Sequence, residues 1–132
     1  IVRNEALYYR AKAHIQNKQY ELAIIDLDIV SQEVRTARGA EAKYLLAECH
    51  YLLDAVNTAE EEIMSFTKQQ TSHQYWLAKS LILLADINVK RNELFQAKQY
   101  LLALQKNYRG QQDDIHTIIN DKLELIAQME IQ

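Results

Sequence analysis

Residues 76–104 read WLAKSLILLADINVKRNELFQAKQYLLAL, and two alanines in them, Ala85 and Ala97, stand twelve positions apart. Apolar residues recur at separations of three and four from Trp76 to Val89, and again from Leu94 to Leu104. Both stretches read as amphipathic helices, and the few residues between them leave room only for a tight turn that folds one helix back on the other. The same twelve-residue spacing returns between Ala11 and Ala23 and between Ala47 and Ala59, with steps of 36 and then 38 residues from one copy to the next. A small residue in each helix of a pair lets two backbones approach closely, so a spacing kept three times predicts one hairpin design used three times.

Larger residues keep the same register. Leu27, Ile63 and Leu101 come four after the second alanine of each pair, and Val30, Phe66 and Leu104 come seven after it, building a shared core. The hairpins are expected as Glu5–Asn17 with Tyr20–Glu33, Glu41–Leu53 with Val56–Phe66, and Trp76–Val89 with Leu94–Leu104. EVRTARGA (33–40) and KQQTSH (68–73) connect them, with Thr71 or Ser72 expected to cap the helix that begins near His73. After KNYRGQQDD (106–114), with Asp113 or Asp114 as cap, a last helix places Ile115, Ile118, Ile119, Ile126 and Met129 on one stripe widened by Leu123 and Leu125. Asp121, Lys122, Glu124 and Gln128 are left for solvent, as suits a capping helix over the last hairpin. The expected fold is all-α, with seven helices in one domain over 1–132: repeats at about 3–35, 39–70 and 73–107 and a capping helix at about 112–131.

Composition agrees with this reading. The chain of 132 residues has no proline and two glycines, where average usage would give roughly six or seven and nine. The missing residues are the helix breakers. With neither at the turns, interhelix packing and polar caps are expected to set them. At 48% hydrophobic and 25% charged the chain can bury a core, and a net charge of −3 gives no electrostatic reason to bind nucleic acid. The longest apolar run, Leu81–Ala85, is far short of a membrane span of about 20 residues. The start, Ile1-Val2-Arg3-Asn4-Glu5, lacks an initiator methionine and a signal-like apolar stretch, so the chain reads as a piece of a larger protein and its compartment stays open between cytoplasm and cell envelope.

The hairpins resemble the tetratricopeptide repeat over about residues 5–104. The residues that carry the likeness are Leu7, Arg10, Ala11, His14, Tyr20, Ala23, Leu27 and Val30 in the first unit; Leu46, Ala47, His50, Val56, Ala59, Ile63 and Phe66 in the second; and Leu81, Leu84, Ala85, Asn88, Leu94, Ala97, Leu101 and Leu104 in the third. The family's usual glycines and unit-closing proline are absent, and the steps exceed its typical 34 residues. The third unit is also similar to the last repeats of large uncharacterised tetratricopeptide-repeat proteins of Bacteroides-like bacteria, some of them associated with the cell envelope. The resemblance implies a right-handed helical-repeat solenoid that acts as a non-enzymatic scaffold, binding a peptide or helix of a partner protein along the concave face of its first helices.

On that face the chain offers Tyr8, Lys12 and Ile15, then Tyr44, Glu48 and Tyr51, then Ile82, Asp86 and Val89, with Lys79 and Lys90 at its border. Tyrosine makes up 8 of the 11 aromatic residues, and its ring with a polar tip suits a half-wet interface. The alternative is that Tyr8 and Tyr44 only finish the packing between repeats, and that the piece serves as a structural cap or homodimer module. No catalytic, cofactor or metal site is expected. Cys49 and His50 diverge by about 100° on a helix, Glu60-Glu61-Glu62 and Asp113-Asp114 suit helix starts, and Gly39 and Gly110 are too far apart for a phosphate loop. His14 and His50 share one repeat position, which argues for shared packing, and Cys49 reads as a small buried hydrophobe.

Overall fold

A computed structural model describes residues 2–132, with side chains from Arg3 onward. Ile1, at the start of the stretch that suggests an excised piece, lies outside the described residues. Among those described there are seven α-helices and no strands. They are α1 (Val2–Gln16), α2 (Tyr20–Val30), α3 (Ala37–Leu52), α4 (Val56–Thr67), α5 (Gln74–Lys90), α6 (Leu94–Asn107) and α7 (Ile115–Ile131). The chain divides into two compact units, Ile1–Leu77 and Ala78–Gln132, with the division inside α5.

Each hairpin turns on one residue in the left-handed region: Lys18 (φ 58°), Asp54 (φ 64°) and Asn92 (φ 59°), spaced by the 36 and 38 residues of the repeat. The hydrogen bonds around them are the same three times. The amide of the left-handed residue donates to the carbonyl three before it: Lys18 to Ile15 (2.9 Å), Asp54 to Tyr51 (3.0 Å), Asn92 to Val89 (2.9 Å). The next amide donates five residues back, Gln19 to His14 (2.8 Å), Ala55 to His50 (2.8 Å) and Glu93 to Asn88 (2.7 Å). This pair of bonds is the Schellman motif, which satisfies the last carbonyls of the first helix. Gln19, Ala55 and Glu93 then serve as N-cap residues of α2, α4 and α6, and none makes a side-chain capping bond. The polar caps expected at these turns are therefore absent; backbone hydrogen bonds and a left-handed residue do the turning.

The six alanines of the three pairs are buried alike: Ala11, Ala23, Ala47, Ala59, Ala85 and Ala97 are all at most 1% exposed. In the first unit α1 packs on α2, α2 on α3, α3 on α4, and α1 also meets α3. Its core joins Ala11, Ala23, Leu27 and Val30 to Ala42, Leu46 and Cys49, and a second cluster gathers Val34, Ala40 and Phe66 with Trp76 and Leu77 against them. In the second unit α6 packs on α7, whose Ile115, Ile119 and Ile126 are buried. Leu101 is buried with them, whereas Leu104 and Leu123 are half-buried and Leu125 and Met129 stay exposed.

One helix start differs from expectation, that of α3, whereas α5 begins beside the expected His73. Helix α3 begins at Ala37, inside the segment read as a connection, because Thr36 caps it by accepting from the Gly39 amide (3.0 Å). Gly39 is thus a helical residue, and the chain uses glycine there for space: a Cβ would overlap the carbonyl oxygen of Glu33. Helix α5 begins at Gln74. Thr71 accepts from the His73 amide (3.0 Å) and donates to the Val34 carbonyl (2.7 Å), while His73 Nε2 donates to the Arg35 carbonyl (3.1 Å), so the two connections fasten to each other. At α7 the N-cap residue is Asp114, but the carboxylate that receives the Ile115 amide belongs to Asp113 (3.0 Å).

Two glycine substitutions are expected to act in opposite directions in urea melts. Gly39→Ala forces a Cβ against backbone and costs about 1–3 kcal/mol, whereas Lys18→Gly relieves a left-handed lysine and adds roughly 0.5–1 kcal/mol.

Candidate functional site

The sequence points to one face of the first helices. On α1 and α3 that face is a charged and aromatic cluster centred on Glu41. Tyr8 Oη donates to Glu41 Oε1 (2.7 Å) and Lys12 Nζ to Glu41 Oε2 (2.7 Å), joining α1 to α3. The Lys12 ammonium sits 5.4 Å from the Tyr8 ring centre, and the Arg38 guanidinium lies 5.4 and 5.3 Å from the Tyr8 and Tyr9 rings, within cation–π range. Burial, reinforced by Glu41, pushes the Tyr8 hydroxyl up, and the Glu41 hydrogen bond raises Lys12 in spite of its partial burial. Both groups keep their usual charge at neutral pH.

The neighbouring positions are more enclosed. Tyr44 is buried; its hydroxyl donates to Glu48 (2.7 Å) and its ring lies 5.8 Å from that of Trp76. Ile15 is half-buried against the first unit's core, and Tyr51 and Glu48 are half-buried. On α5, Ile82 is buried, Lys79 is half-buried and Lys90 is exposed.

Asp86 and Val89 open onto a cleft of about 150 Å³ between α5, α6 and α7. Ala85, Leu101, Leu125, Ile126 and Met129 supply its other apolar walls. At one edge Lys122 Nζ reaches Asp86 Oδ1 and Oδ2 at 2.9 and 3.1 Å. Burial pushes the Asp86 carboxyl up, and Lys122 pulls it back only in part. The contribution of α7 was missed in the sequence, where Lys122 reads as solvated and Leu125 and Met129 read as core. A signal for it exists: Asp86 occupies the repeat position of Lys12, and both pair with an opposite charge on the next first-helix-like element, Glu41 or Lys122. Helix α7 thus stands to α5 as α3 stands to α1.

Other chemistry is structural. Asp26, 2% exposed, receives a two-pronged bond from Arg10 at 2.8 and 2.7 Å that ties α1 to α2. The Arg10 hydrogen bond holds the Asp26 carboxyl below its usual range against the opposing effect of burial. Glu62 of α4 sits at the same repeat position and receives Lys43 (2.8 Å). The Cys49 thiol is pushed up to about 12 by burial, with Glu48 adding to it, so it is no nucleophile at neutral pH. Among the described residues no three His, Cys, Asp or Glu side chains are placed to hold a metal ion, and no helix is long and apolar enough to cross a membrane.

No family model, curated protein or solved structure matches the chain.

The Arg10–Asp26 pair makes a signed prediction. Because Asp26's folded-state pKa is depressed, its stabilisation is present above the ordinary carboxylate value of about 4 and is lost as pH falls through the lower folded value. Urea melts of wild type and Arg10→Ala should therefore differ most near pH 7 and converge in acid. A gap independent of pH would mean that Arg10 acts through packing alone.

Proposed function

We propose that this chain is a non-enzymatic interaction module of the tetratricopeptide kind, in which the first helices present a groove to a partner protein and α7 closes the last repeat. Two features support the repeat reading: the turn geometry recurs at one register, and the six seam alanines are buried alike. The observation that carries the binding reading is the cleft. It lies on the first-helix face at Asp86 and Val89, its walls are aliphatic, and its one ion pair is internally neutralised.

Such a site suits an amphipathic helix or mixed peptide. A ligand's apolar side chains at helical spacing would enter between Val89, Leu125 and Met129, while its polar groups meet the Asp86–Lys122 edge. The Tyr8–Lys12–Glu41 cluster, with Ile15, Tyr44, Glu48 and Tyr51, offers the corresponding face of the first unit, and Lys79, Ile82 and Lys90 lie on the same helix, α5, as Asp86 and Val89 in the second. Steric fit would dominate recognition, because neither surface shows a field of one sign. A structural capping role is the second reading, favoured by the exposed polar row Asn120, Asp121, Glu124 and Gln128 on α7.

Panning a displayed library of random peptides against the chain tests the binding reading. Binders should carry apolar residues three and four apart and lose at least about tenfold in affinity to Met129→Glu, a substitution at an exposed position that leaves the helical circular dichroism intact. Binders indifferent to Met129→Glu would overturn the cleft as the site.

A further inference from the structure

The two halves of α7 are seated unequally. In the first, Ile115 and Ile119 are fully buried, the Asp113 carboxylate receives the Ile115 amide, and Gln105 Nε2 donates to Asn120 Oδ1 (2.7 Å). The loop before it is fastened as well. Tyr108 Oη donates to Asp113 Oδ2 (2.7 Å), and His116 Nε2 donates to the Tyr108 carbonyl (3.3 Å). Lys122, paired with Asp86 at 2.9 Å, ends this half.

Beyond Lys122 the attachment thins. Of residues 123–131, Ile126 is buried, Leu123 is half-buried and the others are exposed, whereas six of the last nine residues of α5, 82–90, are buried. A salt bridge from Lys98 Nζ to Glu130 (3.0 Å) reaches this half, but its side chains are 35% and 39% exposed, where an ion pair holds weakly. The difference is written in the sequence of α7. Asp121, Glu124 and Gln128 make a polar stripe opposite Ile126, and a further hairpin stacked on that face would have to bury charge. The low burial therefore comes from the residues of α7 themselves. On the inner side, the space between Met129 and Val89 is the cleft, so α7 stands off α5 and α6 where its attachment is weakest.

We propose that residues 123–131 are a lid on the cleft, opening as one unit by unwinding of the helix while residues 115–122 stay seated. Helix α7 contains no glycine or proline to make a hinge, so the boundary lies where buried side chains give out. Unwinding from an end needs no new nucleus, and the segment held by the fewest buried groups opens first. It carries Leu125 and Met129 away and leaves Ala85, Val89 and Leu101 as one side of an open groove. A ligand packed between Val89 and Met129 binds the closed lid alone, so binding and ordering are coupled. That coupling rests on the cleft being the binding site; the opening of the lid does not.

Residue-resolved hydrogen exchange of the free chain, followed by NMR, provides the test. Amides of 125–128 should exchange at least about tenfold faster than those of 118–122, at rates that low urea leaves unchanged, because a local opening exposes little surface. Amides of 118–122 should accelerate with urea. Fast exchange confined to the last turn, 129–131, is the fraying of any helix end and overturns the proposal, as does a single urea-dependent rate shared by 118–128. With a peptide from the panning bound, amides of 125–128 should slow at least about tenfold; a bound peptide that leaves them unchanged overturns the coupling. If the panning yields no binder, the binding reading fails, and exchange in the free chain still decides the lid.

Discussion

The geometry of this chain depends on where each first helix stops. A helix that ends in a left-handed residue reverses direction within one peptide, and when the next residue is already the N-cap of the following helix no slack remains in the connection. The left-handed residue lies seven after the first seam alanine and five before the second in every copy: Ala11, Lys18, Ala23; Ala47, Asp54, Ala59; Ala85, Asn92, Ala97. The turn and the buried alanine seam are therefore one constraint. Moving the turn by a residue would rotate the second helix by about 100° and carry its alanine out of the seam. Aspartate and asparagine tolerate the left-handed region through local hydrogen bonding, and lysine tolerates it least, so the first turn carries the most strain.

With backbone placement determined in this way, the side chains that fasten each hairpin are free to vary. Asp26 and Glu62 share a repeat position, but the cation reaching the first comes from Arg10 and the one reaching the second from Lys43, three residues earlier in the register. At Tyr100 the third copy has no carboxylate in that place. The same freedom shows between first helices, where Lys12–Glu41 and Asp86–Lys122 make equivalent ties with the charges exchanged. Geometry repeats; the chemistry laid on it does not.

This explains which parts were legible in the sequence. The starts of α2, α4 and α6 at Tyr20, Val56 and Leu94 agree with the spacing-based expectation because the seam and the turn share one register. The start of α3 did not follow, since glycine at position 39 reads as a breaker until the Glu33 carbonyl beside it is known, and that proximity is made by the fold. The turn mechanism was hidden for a related reason: a left-handed lysine leaves no mark in composition. On the candidate site, Asp86 and Val89 could be placed from helix periodicity alone. The α7 wall could not, because Leu125 and Met129 obey the same periodicity as buried residues, and their exposure depends on how α7 lies across α5 and α6. The burial of Tyr44 against Trp76 is likewise a property of two segments that are distant in the chain.

The two charged ties differ in what surrounds them, and the difference matters for the cleft. Lys12 and Glu41 sit among Tyr8 and Arg38, in a network with several alternative donors and acceptors, so losing one contact leaves others. Asp86 and Lys122 stand beside aliphatic walls, where burial already disfavours the carboxylate. Drying that edge with a ligand strengthens the attraction between the two charges and raises the desolvation cost of both. A ligand that leaves the pair intact avoids separating them, whereas one that brings its own charge must separate them and stabilise both halves. On the proposed binding reading, the cleft favours an apolar insertion with a polar rim over a charged terminus, because such a ligand leaves the ion pair whole.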